Sequence, residues 1–478
     1  MTVIRRRKGR PKCEHLSAEL SNSKNESDMV WYTPRKAIKF AAYSRIIVLV
    51  IQVIANYLLA DHEPDVFNPP GVQEPVGSLD PAVELLLGGF RRWDSIYMLH
   101  IAEHGYTYEN TVAFFPAFPL LVKGIGMSLL YPLQHLMTFR HVLMVSAFLL
   151  NFTCFLIAAW YLYHLSTILI GKGNRPLFSV LAFSFNPASI FMSAAYSETL
   201  FVMLTLALMY HVEKKQCVKA TIALALATAT RSNGVVLAGY PLYFLLKTLF
   251  TSDQYPRRIG MIRDWMKWFS CVLYGLLPFF VFQYMCYVVY CKGHVYRKAV
   301  PSLLIDYARD RGYHVPSDEP SQWCYHQIPY AYGYIQKHHW NVGLGNYFEL
   351  KQIPNFLLAT PVVILSLYSV FDCITEFHIS YKQSPSFRSW VKGKPMMYTP
   401  YLLHLLFLVL YGVFTVHIQI LTRLIYSSSP LIYISVSKML AKCTKTLQPS
   451  FPLKLIIWYH FLFIILGTIM HTNFYPWT

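Results

Sequence analysis

Nine apolar segments run through this sequence, and each is long enough to enter a lipid bilayer. They lie at about residues 43–60, 113–131, 141–163, 176–212, 218–250, 268–291, 354–372, 398–436 and 452–470. A backbone inside a bilayer must satisfy its own hydrogen bonds, and segments of this length do so as α-helices. Because three of the segments are too long for one span, the sequence predicts an all-α polytopic membrane protein with roughly ten to twelve transmembrane helices.

The composition agrees with a membrane protein and argues against a soluble one. Charged residues make up 14% of the chain, whereas soluble proteins carry roughly 25%. The net charge of +18 would suit nucleic acid if the basic residues shared one face. Instead, lysines and arginines cluster in short segments between the apolar ones, which is typical of cytosolic loops. We therefore expect no nucleic-acid partner.

The distribution of charge predicts which segments face the cytosol. A basic tail at residues 1–40 precedes the membrane domain at 41–478, and a second basic loop lies at 373–397. Both basic segments are expected to be cytosolic. The loop at 61–112 is acidic, and we expect it on the opposite side, together with the loop at 292–353 and the C-terminus.

Two of the long apolar segments contain residues that break helices. Pro187 interrupts the fourth segment, and the Arg-Ser-Asn-Gly stretch at residues 231–234 interrupts the fifth. Broken helices occur in membranes where they line a cavity, so both breaks indicate a cavity. In the acidic loop, residues 81–87 and 94–103 are predicted to form short helices along the membrane surface.

The acidic loop ends directly on an apolar segment and contains the pair Trp93-Asp94. A carboxylate at the membrane surface can serve as a general base, and a tryptophan ring commonly settles at the interface. The alternative is an interfacial anchor in which Asp94 pairs with Arg91 or Arg92. The residues alone leave both interpretations open.

Further polar residues lie in or beside apolar segments, where burial is costly and function is a common reason for it. Glu198 either caps a helix or takes part in a site. Arg231 and Arg423 carry guanidinium forks that match phosphate oxygens, with structural ion pairs as the alternative. The other candidates for substrate contacts are Arg92, Trp93, Glu103, His104, Asn233, His339, Trp340 and Lys351.

The sequence lacks the motifs of nucleotide-dependent and hydrolytic enzymes, such as a phosphate-binding glycine-rich loop, HExxH or GxSxG. The nine cysteines have no metal-ligand or disulfide-framework spacing, and Cys324 lies in a polar loop without an evident partner. We therefore expect no dedicated metal site and no cofactor. Two function classes remain compatible with the sequence: a transporter and a membrane-embedded transferase with a lipid-linked donor. A transporter commonly shows internal repeats, and none is evident.

Six stretches of the chain, in order from residue 90 to the C-terminus, carry a family resemblance. They are FRRWDSIYMLHIAEHGYTYENTVAFFPAFPLL, NPASIFMSAAYSETLF, ATRSNGVVLAGY, HHWNVGLGNYFELKQIPNFLLATP, VHIQILTRLIYSSSPLIY and NFYPWT. Each stretch alone is a weak match, but together and at these spacings they resemble the PIG-V family of GPI mannosyltransferases. The basic tail and residues 292–335 do not contribute.

The resemblance implies a GT-C glycosyltransferase fold and an inverting α-1,6-mannosyltransferase of the endoplasmic reticulum membrane with a luminal active site. The implied donor is dolichyl-phosphate-mannose, and the implied acceptor is a GPI precursor that carries one mannose. Membrane lipids and an optional small membrane subunit are the other expected partners. The alternatives are another GT-C transferase that uses a lipid-linked sugar and a polytopic transporter.

The resemblance also assigns roles to individual residues. It matches Asp94 to the acid of the first luminal loop, which makes it the expected base for the acceptor 6-hydroxyl. Arg231, Arg423 and Lys351 are the expected cations for the leaving phosphate. Arg231 has two candidate partners, because an unpaired guanidinium in a membrane costs at least about 2.5 kcal/mol. We favour the donor phosphate, with Glu198 as the alternative.

Overall fold

A computed structural model describes residues 33–476 except 64, 72–74, 251–257, 293–299, 317, 387–389, 391, 392 and 394. The basic tail up to residue 32 and part of the loop at 373–397 lie outside the described residues. Within the described part of the chain the regular structure is helical, without β-strands. The prediction of an all-α protein is therefore confirmed.

The helices are numbered here in chain order. The first nine are α1 (Pro34–Leu58), α2 (Asp80–Leu87), α3 (Asp94–His104), α4 (Ala117–Met127), α5 (Phe139–Ile170), α6 (Arg175–Ser184), α7 (Glu198–Glu213), α8 (Cys217–Thr230) and α9 (Gly239–Phe250). The next eight are α10 (Arg258–Cys291), α11 (Ser302–Arg311), α12 (Ala331–Trp340), α13 (Ile353–Gln383), α14 (Pro395–Phe414), α15 (Leu421–Tyr426), α16 (Pro430–Thr446) and α17 (Phe451–Thr472).

Six of these helices, α1, α5, α10, α13, α14 and α17, are long and apolar enough to cross a membrane. The protein is therefore a multi-pass membrane protein. Length and composition support six spans among the described residues, rather than the ten to twelve predicted from the sequence. Part of the difference arises because three long apolar segments fold as successions of shorter helices: α6 with α7, α8 with α9, and α14 with α15 and α16. The segment at 113–131 forms the eleven-residue α4, which is also too short to count as a span.

Both predicted helix breaks are confirmed. After α6 ends at Ser184, the chain makes a short 3₁₀ turn at Ile190–Met192, and α7 then begins at Glu198. After α8 ends at Thr230, a 3₁₀ stretch at Ser232–Ala238 leads into α9. Around these breaks the core is formed by α5 packed on α7, α7 on α8, α8 on α10 and α16 on α6.

Buried polar side chains satisfy the irregular backbone between α6 and α7. Arg45, in the middle of α1, donates from Nη2 to the carbonyl of Ser184 (3.0 Å) and from Nη1 to that of Ser189 (2.7 Å). Asn151 of α5 donates from Nδ2 to the carbonyl of Tyr196 (3.1 Å). Irregular backbone is tolerated at membrane depth when it finds such partners, and here they fix the position at which α7 starts.

Cys291, the last residue of α10, forms a disulfide with Cys324, with 5.5 Å between the Cα atoms. The sequence identified no partner for Cys324. Thirty-three positions separate the two cysteines along the chain, so only the return of the following loop onto the end of α10 brings them together.

Helices α8 and α10 pack side by side and run in the same direction. Near their starts, Cys217 Sγ lies 3.2 Å from the carbonyl oxygen of Lys267. Farther along, Thr228 Oγ1 donates to the carbonyl of Gly275 at 2.7 Å. Arg231, which follows α8, therefore points toward the end of α10 that carries the disulfide. The basic start of α10 lies at the opposite end.

Candidate active site

Asp94 is the first residue of α3, which confirms the predicted helix at 94–103, and the backbone before it makes a sharp turn. Trp93 has a φ of 55°, a left-handed conformation that is uncommon for a bulky side chain. The N–H of Asp94 donates to the Tyr196 hydroxyl at 3.2 Å, and Ser95 Oγ donates to the carbonyl of Arg92 at 2.6 Å. These contacts hold the Asp94 carboxylate at the edge of a cavity.

Four charged side chains from four separate parts of the chain form a continuous row in this cavity. Arg423 Nη1 lies 2.6 Å from Asp94 Oδ2 and 3.7 Å from Glu198 Oε1. Arg231 Nη1 lies 2.6 Å from the same Glu198 oxygen and donates to Ser197 Oγ at 3.2 Å. Two carboxylates therefore alternate with two guanidinium groups. Such pairing is what makes burial of these charges tolerable.

The row identifies two ion-pair partners that the sequence left open. Asp94 pairs with Arg423, so the alternative pairing with Arg91 or Arg92 is wrong. Arg231 pairs with Glu198, the partner that the sequence analysis ranked second. A guanidinium has five N–H donors, so the contact of Arg231 with Glu198 leaves it able to bind a second anion.

Glu198 is the most buried member of the row, with its side chain 1% exposed. It is the first residue of α7, and Ser197 before it makes no side-chain capping bond. Among the described residues, neither carboxylate oxygen of Glu198 receives a well-directed hydrogen bond, although two arginines lie close. The two arginines compensate its charge, and its oxygens can still accept a hydrogen bond from a ligand hydroxyl.

The row of charges faces a cavity of about 570 Å³. Aromatic rings form much of the rest of its wall, namely Phe114, Phe279, Tyr330, Tyr332, Trp340 and Tyr411. Ser232 Oγ donates to the Tyr332 hydroxyl at 2.7 Å, which joins the break after α8 to helix α12. Mainly apolar walls with a few convergent polar groups are typical of a small-molecule site.

Six of the residues predicted from the sequence line this cavity together. They are Asp94, Glu198, Arg231, Asn233, Trp340 and Arg423. Asn233 donates from Nδ2 to Ser428 Oγ at 3.3 Å, whereas its Oδ1 is buried without a hydrogen-bond partner among the described residues.

Arg92 and Trp93 lie beside the cavity but are not among its lining residues. The Arg92 guanidinium is held by Asp61 Oδ2 (3.0 Å) and by the carbonyls of Gly88 (2.8 Å) and Thr472 (2.9 Å). With its donors used in this way, Arg92 fixes the turn before Asp94 to the end of α17. The interpretation of Arg92 as a substrate contact is not supported by this position.

Glu103 and His104 form a separate group at the other end of α3. His104 Nε2 lies 3.4 Å from Glu103 Oε1, and Arg140 Nε lies 3.6 Å from Glu103 Oε2. Neither residue lines the cavity, because an α3 of eleven residues carries them about 14–15 Å along its axis from Asp94. Their predicted contact with substrate is therefore not reproduced.

His339 and Lys351 also lie outside the cavity lining. Burial lowers the pKa of His339, as does its neighbour His338, and this disfavours the charged form of the ring. Lys351 has an exposed side chain that pairs with Glu349 at 2.5 Å. Of the three cations expected at the leaving phosphate, Arg231 and Arg423 meet at one site and Lys351 does not.

Several cavity residues were missed by the sequence analysis. Tyr196 holds the backbone of Asp94 and lies under the Arg423 guanidinium, 5.6 Å from it to the ring centroid. Tyr332 and His417 also line the cavity, and the carbonyl of Trp340 lies 2.5 Å from His417 Nε2. Of these three residues, only Tyr196 lies beside a predicted site residue in the sequence, because it is two positions before Glu198.

Among the residues that the structure describes, no three His, Cys, Asp or Glu side chains are grouped as metal ligands. The expectation of no dedicated metal site and no cofactor stays a prediction.

The chain resembles known proteins along most of its length. The family model described as "Mannosyltransferase (PIG-V)" matches residues 35–478. The relative named GPI alpha-1,6-mannosyltransferase 2 from Rattus norvegicus is 36% identical over 93% of this chain and 98% of its own. The Homo sapiens protein of that name is 32% identical over the same shares. GPI mannosyltransferase 2 from Drosophila melanogaster is 34% identical over 93% of this chain and 99% of its own.

Among solved structures, the archaeal oligosaccharyltransferase AglB from Archaeoglobus fulgidus aligns with a TM-score of 0.41 and 10% sequence identity. The alignment covers 91% of this chain and 56% of that chain. A second crystal structure of an Archaeoglobus fulgidus oligosaccharyltransferase, in the apo form, gives a TM-score of 0.43.

Proposed function

Because the chain belongs to the PIG-V family of mannosyltransferases, we propose that it adds the second, α-1,6-linked mannose to a GPI precursor that carries one mannose. The predicted family is confirmed, and with it a glycosyltransferase that acts in GPI synthesis. The finer assignment adds dolichyl-phosphate-mannose as the donor and the lumen of the endoplasmic reticulum as the place of reaction.

The observation that carries the proposal is the row of Asp94, Arg423, Glu198 and Arg231 in an aromatic cavity. Transfer from a lipid phosphate needs a base for the acceptor hydroxyl and cations for the leaving phosphate. The row supplies both within one cavity. Aromatic walls suit the apolar faces of a sugar ring, and the polar atoms of Asn233 and Glu198 suit its hydroxyl groups.

In the proposed reaction the acceptor 6-hydroxyl oxygen attacks the anomeric carbon of the donor mannose. The bond from that carbon to the phosphate oxygen breaks, and the hydroxyl proton passes to Asp94. Dolichyl phosphate leaves with the electron pair of the broken bond, and its charge is met by Arg423 and Arg231. One displacement inverts the anomeric configuration, as a β-linked donor and an α-linked product require.

The contact between Asp94 and Arg423 suggests an order of events. Asp94 Oδ2 is occupied by Arg423 Nη1 at 2.6 Å and is therefore not available to the acceptor hydroxyl. The donor phosphate competes with Asp94 for Arg423, so donor binding would free the carboxylate for the acceptor hydroxyl. We therefore propose that the donor binds first and that Asp94 becomes an effective base only in its presence.

The location of the cavity supports the luminal assignment. Arg231 lies toward the end of α10 that carries the Cys291–Cys324 disulfide, and disulfides persist in oxidising compartments. On this basis the loops at 61–112 and 292–353 face the lumen, while the tail at 1–40 and the loop at 373–397 face the cytosol. Residues 41–478 form the catalytic domain, for which the GT-C fold and an optional small partner subunit stay predictions.

The role of Asp94 is tested with purified protein, dolichyl-phosphate-mannose and a one-mannose acceptor. We expect Asp94→Asn to lower the transfer rate by about 10²–10⁴-fold, the usual contribution of a general base. The matched control is Glu103→Gln, which neutralises a carboxylate on the same helix outside the cavity. Transfer by Asp94→Asn at the wild-type rate would exclude Asp94 as the base and leave Glu198 as the next candidate.

A further inference from the structure

A second cavity, of about 1210 Å³, lies at the end of α8 and α10 that is remote from the row of charges. Its walls are the start of α8, the first half of α10 and Phe244 of α9. We refer to it as the basic groove. Its cationic lining residues are Lys215, Lys219, Arg263 and Lys267.

The charge of the basic groove is strongly one-sided. Among the described lining residues, the four cations face one acid, Asp264, which leaves an excess of three positive charges. Lys267 Nζ lies 3.9 Å from Asp264 Oδ1, so one of the cations is partly compensated. A groove with this balance favours an anionic occupant.

The opposite part of the groove is apolar and continues into the membrane-facing surface. Ile222 of α8 and Tyr274 of α10 line it and are 55% and 59% exposed. Leu273 and Leu277, which follow the same side of α10, are also more than half exposed. A cationic end joined to an apolar surface fits an amphiphile with an anionic head and a hydrocarbon tail.

The two walls of the groove are fixed relative to each other. The contact between Cys217 Sγ and the Lys267 carbonyl joins α8 and α10 at the cationic end, and the hydrogen bond from Thr228 to Gly275 joins them farther along. The helices that carry Lys219, Arg263 and Lys267 are therefore held at a fixed spacing, so that only the exposed cationic side chains have to order when a ligand binds.

We propose that the basic groove binds one anionic glycerophospholipid, with its phosphate against Lys219, Arg263 and Lys267 and an acyl chain along Ile222 and Tyr274. Basic pockets between helices at the cytosolic side of a membrane commonly hold such head groups. The groove lies at the opposite end of α10 from the disulfide, so this lipid occupies the other leaflet from the donor and the acceptor. It is neither substrate nor product.

Native mass spectrometry of the full chain in detergent tests the proposal with phosphatidylserine and phosphatidylcholine of identical acyl chains. We expect the wild type to bind one phosphatidylserine at least about tenfold more tightly than phosphatidylcholine, since each nearby cation favours an anionic lipid. The variant Lys219→Gln/Arg263→Gln/Lys267→Gln is expected to lose this preference. The matched control, Lys382→Gln/Lys442→Gln/Lys445→Gln, removes the same charge from helix ends outside the groove and is expected to keep it.

Two outcomes would overturn the proposal. One is an equal preference for phosphatidylserine in the groove variant and the control variant, which would indicate general attraction to the basic surface. The other is displacement of phosphatidylserine by millimolar inorganic phosphate, which would indicate a site for a free anion. Thermal unfolding in phosphatidylcholine micelles checks that the groove variant folds. If it does not, Arg263→Gln alone replaces it, with Lys442→Gln as its control.

Discussion

At the scale of single residues, the candidate site consists of four charges that compensate one another, namely a buried Glu198 and three partly buried groups. Asp94 and Glu198 share Arg423, and Glu198 also meets Arg231. Removing one member of such a row leaves its partner uncompensated, so a substitution affects ligand affinity as well as chemistry. In the proposed mechanism the donor phosphate enters the row as a competing anion.

Asp94→Asn is therefore expected to separate donor binding from catalysis. With the carboxylate charge removed, Arg423 is free for the phosphate, so the donor dissociation constant should fall by roughly three- to tenfold, or about 0.7–1.4 kcal/mol. Mannose transfer should fall at the same time. Equilibrium binding of dolichyl-phosphate-mannose to the purified variant measures the effect. Weaker binding than in the wild type would show that Arg423 does not hold the phosphate.

Arg231→Lys tests whether the second guanidinium also meets the phosphate. Lysine keeps the charge but loses the two-pronged donor geometry, so we expect the donor KM to rise by about tenfold or more with little change in thermal stability. Arg309→Lys, at an exposed ion pair on α11, is the matched control. Wild-type donor dependence together with reduced stability would instead assign Arg231 to Glu198 as a purely structural partner.

At the scale of elements, the site is assembled where helices break. Glu198 stands at the start of α7, Arg231 at the end of α8, and Arg423 in the six-residue α15. The breaks turn these side chains toward one cavity, and Arg45 and Asn151 satisfy the backbone that the first break exposes. The two arginines and Glu198 therefore reach the cavity because regular helices are interrupted beside them.

Gly234→Ala tests the break after α8. A Cβ atom on Gly234 would lie 2.6 Å from the carbonyl oxygen of Ala227 and 2.8 Å from Cα of Thr228, and backbone atoms cannot move aside cheaply. We expect a loss of stability of about 1–3 kcal/mol and reduced transfer, because Arg231 shifts with the break. Gly239→Ala is the control, since its Cβ would meet nothing within 4 Å. Equal thermal stability and activity in the two variants would contradict the proposed tight packing.

At the scale of the whole molecule, the disulfide and the basic groove lie at opposite ends of α10, and the candidate active-site cavity lies toward the disulfide. We expect a glycosylation sequon inserted in α11 to be modified and one inserted after Ser384 to remain unmodified. Gel mobility before and after glycosidase treatment checks both. Modification of the insert after Ser384 would contradict the orientation that positive charges and the disulfide together indicate.

Local features were predictable from the sequence and long-range pairings were not. Pro187 and the Arg-Ser-Asn-Gly stretch that ends at Gly234 indicated the two breaks, because proline and a cluster of turn-forming residues disfavour a continuous helix. The pairing of Asp94 with Arg423 joins positions 329 apart in the chain, and no local pattern encodes it. Lys351 was selected as the cation that follows the polar and aromatic residues at 338–341, and its exposed pairing with Glu349 depends on a loop path that the sequence pattern does not specify.

The most direct test of the central claim is transfer by the purified protein from dolichyl-phosphate-mannose to synthetic GPI precursors with one or two mannose residues. We predict that the one-mannose acceptor gains a single mannose in α-1,6 linkage, with release of dolichyl phosphate, and that the two-mannose acceptor is not extended. Linkage analysis of the product identifies the bond that is formed. The Asp94→Asn variant serves as the blank. Extension of the two-mannose acceptor, or a product with another linkage, would contradict the claim.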